Sequence, residues 1–199
     1  VQKSLGKFIG MTTFLLMTSS ASIGSDQVIN PFSVTPFKPP KNSAITESYR
    51  TEWNRMTGFE LSGLHWNQFI VVYTDKGSKT YKKNFYEYIK WMQAFDEGDD
   101  YEAQYQEYPV GTVVLKENFT SDKGRPDLAT TLTIMVKHEK GYSPKGGDWE
   151  YIESTKDGQV IMRGKAEDEA INQRCAACHM SIKDRDYIYS VHLTGDHSN

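Results

Sequence analysis

Six short runs of β-branched and aromatic residues limit what this chain can fold into. They are FIVVYT (69–74), GTVVLKENF (111–119), TTLTIMVKH (130–138), DWEYIES (148–154), QVIMR (159–163) and DYIYSVHL (186–193). Each has the length and composition of a strand. A polar loop, TSDKGRPD, separates the second and third, and Lys156-Asp157-Gly158 makes a hairpin turn between the fourth and fifth. Between the first and second runs the period changes. Tyr81, Phe85, Tyr88, Ile89 and Met92 recur at helical spacing within 80–95, with Lys82, Lys83, Glu87 and Lys90 turned mostly outward. The acidic stretch DEGDDYEAQYQE (96–107) is expected to be a solvated loop. Shorter helices are expected in 46–56 and 166–174. The fold class is therefore α+β, a mainly antiparallel sheet of five or six strands with a few helices.

With 199 residues, of which 38% are hydrophobic, the chain can bury a single core. A net charge of -3 and the absence of any Lys/Arg block argue against a nucleic-acid binder held by phosphate contacts. Lys3 and Lys7, then the apolar run FIGMTTFLLM (8–17), then small residues in TSSASIGS (18–25) have the order of an export signal. Residues 1–25 are assigned to that signal. If it is retained, the segment is a membrane anchor rather than a span, since the apolar run is short. Residues 26–45 hold four of the seven prolines and are expected to form a linker or an arm laid over the domain. The folded domain is placed at 46–199.

The sequence RCAACHM (174–180) holds both cysteines, Cys175 and Cys178, with His179 directly after. A redox dithiol belongs at the start of a helix in a βαβ unit, which this region does not offer. A structural zinc site needs four ligands, and no second cysteine pair exists. Two thiols at this spacing, followed by histidine, are the attachment pattern of c-type haem, with His179 as axial iron ligand. Export and haem attachment support each other, because exported cysteines meet an oxidising compartment.

Only 20 residues follow His179, so no long downstream segment supplies a second axial ligand. Met180 is too close to reach the opposite face of the iron. Met135, Met162, His138 and His192 are each more simply explained as core or surface residues. The expected iron is five-coordinate, with one position open to small ligands or to chemistry.

Four segments in order, GTVVLKE (111–117), TIMVKHEKGY (133–142), GDWEY (147–151) and the terminal CAACH, resemble the cytochrome P-460 family over residues 66–193. The resemblance implies a periplasmic homodimer with one haem c per subunit. It also implies oxidation of hydroxylamine to NO or nitrous oxide, with electrons passed to an external cytochrome. The related cytochrome c-prime beta branch binds NO or CO without turnover, and a plain electron carrier of the same fold is a further alternative. The resemblance places Lys116 where catalytic members carry a lysine bonded to the haem. On residue chemistry alone, Lys116 reads as a lysine snorkelling from a strand edge, its stem covering apolar surface. Proton handling asks for a carboxylate. Glu167 and Glu169 precede the haem motif, and Thr133 stands where active members can carry a glutamate. Thr133, Glu167 and Glu169 are the weak catalytic candidates.

Overall fold

The computed structural model describes residues 37–41, 43 and 45–194. The expected export signal and the first part of the proline-rich arm lie outside these residues. The end of the arm lies on the domain. Phe37 is buried edge-on against Phe119 at 5.3 Å, and Lys38 N–H donates to the Lys156 carbonyl at 2.8 Å.

The domain is a seven-stranded antiparallel sheet with few helices. Its strands are β1 (Asn54–Arg55), β2 (Glu60–Ser62), β3 (Gln68–Thr74), β4 (Val113–Asp122), β5 (Arg125–Lys137), β6 (Trp149–Thr155) and β7 (Val160–Lys165). From β3 to β7 each strand pairs with the next in the chain, while β1 and β2 share the outer edge of β3. Helix α1 (Tyr49–Glu52) precedes β1, and α2 (Ser78–Glu97) joins β3 to β4. The TSDKGRPD stretch is mostly strand. Its turn shrinks to Lys123 and Gly124, both at positive φ (47° and 76°), as a two-residue hairpin requires.

Period-two alternation divides the sheet into two cores. One face carries Ile70, Val72, Val114, Met135, Trp149 and Tyr151. The other carries Phe69, Val71, Tyr73, Val113, Leu115, Leu132, Ile134 and Ile152. On this second face Glu117, fully buried, accepts hydrogen bonds from the Tyr49 hydroxyl and Arg50 Nε, which fasten α1 to β4.

Five expectations change. Glu87 of α2 is buried, not outward. It accepts from Lys83, Lys90, the Tyr101 hydroxyl and the Gln104 N–H. Asn84 exchanges two bonds with the Gln106 backbone, so part of the supposed solvated loop is tied along the helix. The apolar stripe of α2 is covered only in its first half, leaving Trp91, Met92 and Phe95 exposed. The helix expected from Ala166 begins instead at α3 (Glu169–Ile171). It widens into a π-turn at Asn172–Ala176 and continues as α4 (Ala177–Met180). Lastly, 186–193 is not a strand. Asp186 and Tyr187 adopt φ of 49° and 66°, which no ladder accepts, and the segment runs as irregular chain against the sheet.

Candidate functional site

On β4, alternation sends Val114, Lys116 and Asn118 to the face opposite Leu115 and Glu117. In register beside Lys116 lie Val72 on β3 and Thr133 on β5, and Thr133 in turn faces Glu153 on β6. The sheet thus presents a row Val72–Lys116–Thr133–Glu153. Above it opens a cavity. Ile70, Val72, Val114, Met135 and Tyr151 form its sheet wall, and Cys175, Cys178 and His179 line it from the α3–α4 segment. Cys175 and Cys178 are one helical step apart and His179 is four residues from Cys175, so all three share a face.

His179 is buried, and its Nδ1 donates to the Tyr187 carbonyl at 2.6 Å. A carbonyl can only accept, so the ring proton sits on Nδ1 and Nε2 keeps its lone pair. Tyr151 and Tyr189 pack edge-on to the ring at 5.7 and 5.5 Å. Burial, with nearby Lys116, pushes the His179 pKa down to about 3. The imidazole is therefore neutral at ordinary pH, the form that binds metals. Burial raises the Cys175 thiol to about 11.

Lys116 is 7% exposed, and burial lowers its amine to about 8. Its Nζ lies 3.4 Å from Nε2 of His65, a residue that carries no local sign of function in the sequence. Asn118 fixes the tautomer of this second histidine. The Asn118 amide nitrogen donates to the Thr131 carbonyl at 3.1 Å and faces the Lys116 carbonyl at 3.4 Å, so its oxygen must face His65 Nδ1, 3.1 Å away. Nδ1 then holds the proton, and Nε2 accepts from Lys116. Burial and the Lys116 charge lower the His65 pKa to about 2. A left-handed pair, Trp66 and Asn67 (φ 57° and 56°), turns the chain from His65 into β3.

The last wall is Arg174, which binds Glu153 through two hydrogen bonds of 3.0 and 3.1 Å and lies 3.9 Å over the Trp66 ring. Thr133 lines the cavity, whereas Glu167 and Glu169 do not. Glu167 accepts from Ser143 Oγ and the Lys145 N–H, and exposed Glu169 accepts from Gln173. Of the other ligand candidates, Met135 and half-exposed His192 line the cavity. Met162 packs against the core without lining it, and His138 pairs with Glu150 and stacks on Tyr142.

The cytochrome P460 family profile matches residues 64–190, well over half of the chain. The chain belongs to the cytochrome P460 family. No curated relative matches it. Membership in cytochrome P460 implies a haem c, and the residues present fit one. Both thiols and a neutral imidazole with a free Nε2 face one mainly apolar cavity. Among the described residues no helix is long and apolar enough to cross a membrane.

Proposed function

We propose that this cytochrome P460 is an exported, periplasmic mono-haem protein that oxidises hydroxylamine to NO or nitrous oxide and passes the electrons to an external cytochrome. We further propose that it works as a homodimer. The observation that carries this reading is Lys116, a buried lysine on a sheet face, in the wall of the cavity that Cys175, Cys178 and His179 share. Lysine is almost never buried without a dedicated partner.

Cys175 and Cys178 would hold the haem as thioethers, and His179 Nε2 would bind its iron. Bound there, haem would supply a site for a small nitrogen ligand and accept its electrons. The protein's own work is the rest. Ile70, Val72, Val114 and Met135 keep water from the cavity, which strengthens each polar contact inside it. His65 takes a hydrogen bond from Lys116 and keeps the amine directed along the sheet face. The Thr133 hydroxyl, next to Lys116 in register, is available to hydrogen-bond a small ligand.

One observation favours a second reading, a non-enzymatic NO- or CO-binding or electron-carrier cytochrome. No carboxylate is among the described residues lining the cavity, and nearby Glu153 is held by Arg174. The two readings separate on purified holoprotein given hydroxylamine and an electron acceptor. The enzyme reading expects NO or nitrous oxide with stoichiometric acceptor reduction. It also expects a red-shifted ferrous Soret band that Lys116→Leu returns to an ordinary c-type position. An ordinary spectrum in the parent protein, with no turnover, leaves the second reading. Light scattering of the same sample tests the dimer.

A further inference from the structure

Beneath the haem-attachment segment lies a buried ion pair to which the proposed function gives no role. Lys137 at the end of β5 and Asp186 meet at 2.6 Å and are 8% and 5% exposed. Charges at this depth persist only when their other hydrogen-bonding capacity is also met. Here it is. Lys137 Nζ donates a second bond to the Gly147 carbonyl at 2.8 Å and lies 5.2 Å over the Trp149 ring. Asp186 Oδ2 accepts the Tyr108 N–H at 2.7 Å, and Trp149 Nε1 donates to the Asp186 carbonyl at 2.9 Å.

This network holds the chain in a conformation it would not choose. Asp186 and Tyr187 are consecutive non-glycine residues in the left-handed region. Such residues visit it singly and at a cost. Local backbone bonds close the turn, from Asp186 N–H to the Lys183 carbonyl at 3.1 Å, from Tyr187 N–H to the Ile182 carbonyl at 3.2 Å and from Ile188 N–H to the Arg185 carbonyl at 3.3 Å, and the ion pair ties that turn to the sheet. The Tyr187 ring is pressed on Gly147, where a Cβ would fall 2.1 Å from the ring carbon Cε2. Gly147 therefore touches both ends of the device, accepting from Lys137 and seating Tyr187. The product of the double left-handed turn is one aimed atom. It places the Tyr187 carbonyl 2.6 Å from His179 Nδ1.

We propose that the Lys137–Asp186 pair is a positioning device for the haem ligand: it anchors the Tyr187 carbonyl to the sheet, and so sets the orientation of the His179 imidazole and its electron donation to the iron. The proposal rests on His179 being the iron ligand. A partner on the far ring nitrogen fixes the tautomer of a ligating histidine and raises its basicity. Lys137 and Asp186 act through Tyr187 and touch neither haem nor substrate.

The test uses the haem-loaded protein. Asp186→Asn keeps the size of the side chain and removes its charge. Mass spectrometry is expected to show haem still attached through both cysteines. The ferrous iron–histidine stretch in resonance Raman is expected to move to lower frequency. The ferric-to-ferrous equilibrium is expected to shift about tenfold toward ferrous, a rise in midpoint potential of about 59 mV for one electron. Gly147→Ala leaves the ion pair in place and displaces Tyr187, so it is expected to move both readouts the same way. It decides the matter if Asp186→Asn yields no holoprotein. Wild-type stretch and potential in either haem-loaded variant overturn the proposal. A parent protein with no iron–histidine stretch overturns the ligand assignment itself, which is a distinct and recognisable failure.

Discussion

Arg174 is the residue where the sheet, the loop carrying His65 and the haem-attachment segment meet, and replacing it with methionine has a cost that can be worked out. Its two hydrogen bonds to Glu153 are bidentate, the stronger geometry for this pair. Glu153 is 2% exposed at the side chain, but Arg174 is 42% exposed. Exposed pairs contribute about 0.2–1 kcal/mol, and breaking a fully buried pair costs about 3–5 kcal/mol. A pair with one partner in water falls between them, at about 2 kcal/mol. The guanidinium stack on Trp66 adds about 1 kcal/mol. Arg174→Met is thus expected to destabilise by about 3 kcal/mol, or a urea midpoint shift of about 1.5 M at a slope of about 2 kcal/mol/M. The assay is urea unfolding of the holoprotein, followed by far-UV circular dichroism and Soret absorbance. Double-mutant cycles divide the total. Arg174→Met with Glu153→Gln should show coupling of about 2 kcal/mol, and with Trp66→Leu about 1 kcal/mol. Arg174→Lys keeps the charge without the fork and should recover less than half of the loss. Coupling below about 0.5 kcal/mol in both cycles, the level expected of independent sites, refutes the reasoning.

Three other outcomes follow from the same physics. The Glu87 carboxyl is held far below the usual carboxylate range, first by Lys83 and then by the Gln104 N–H, Tyr101 and Lys90. Its stabilising effect is present above the unfolded value of 4.5 and is lost as pH falls below that toward the folded value, so acid unfolding curves should be flatter in Glu87→Gln. Tyr49→Phe removes a donor from fully buried Glu117 and should cost about 1.5–3 kcal/mol in thermal or urea melts. Because Glu117 lies on the sheet face away from the cavity, the haem spectrum should not change. Asn118→Leu removes the oxygen that fixes the His65 tautomer. Nitrogen-15 NMR should show the Nδ1-protonated ring in the parent and a mixture in the variant.

Much of this architecture was legible from the chain. Strand runs with hairpin turns between them predict the sheet, and a cysteine pair followed by histidine predicts three residues that line one cavity, because both signals are local. The misreadings have different origins, and in one stretch the period reports burial rather than pairing. In 186–193, Asp186, Ile188 and Ser190 are buried alternately, as in a strand. They face the sheet without joining it, since Asp186 and Tyr187 at positive φ turn the backbone out of any ladder. Glu87 looked solvent-facing because its partners Tyr101 and Gln104 arrive from beyond the helix end. His65 was invisible for a related reason. Its contacts, Lys116 and Asn118, lie on a strand some fifty residues later, and only the left-handed turn at Trp66 and Asn67 swings it over them. Lys116 is legible only with the family resemblance, since residue chemistry alone allows a lysine snorkelling from a strand edge.

The order of the strands has a consequence for how the molecule comes into being. From β4 to β7 every partner is the next strand in the chain over a short connection, so this part of the sheet closes by neighbouring hairpins with little loop entropy to overcome. The cysteines come after all of them. A chain that emerges from its N-terminal side can therefore lay down the whole β-wall, Lys116 included, before Cys175 and Cys178 appear. Haem attachment at these cysteines, as proposed above, would then be the closing event of folding, with the cofactor delivered to a platform already formed and sealed in by the last stretch to arrive.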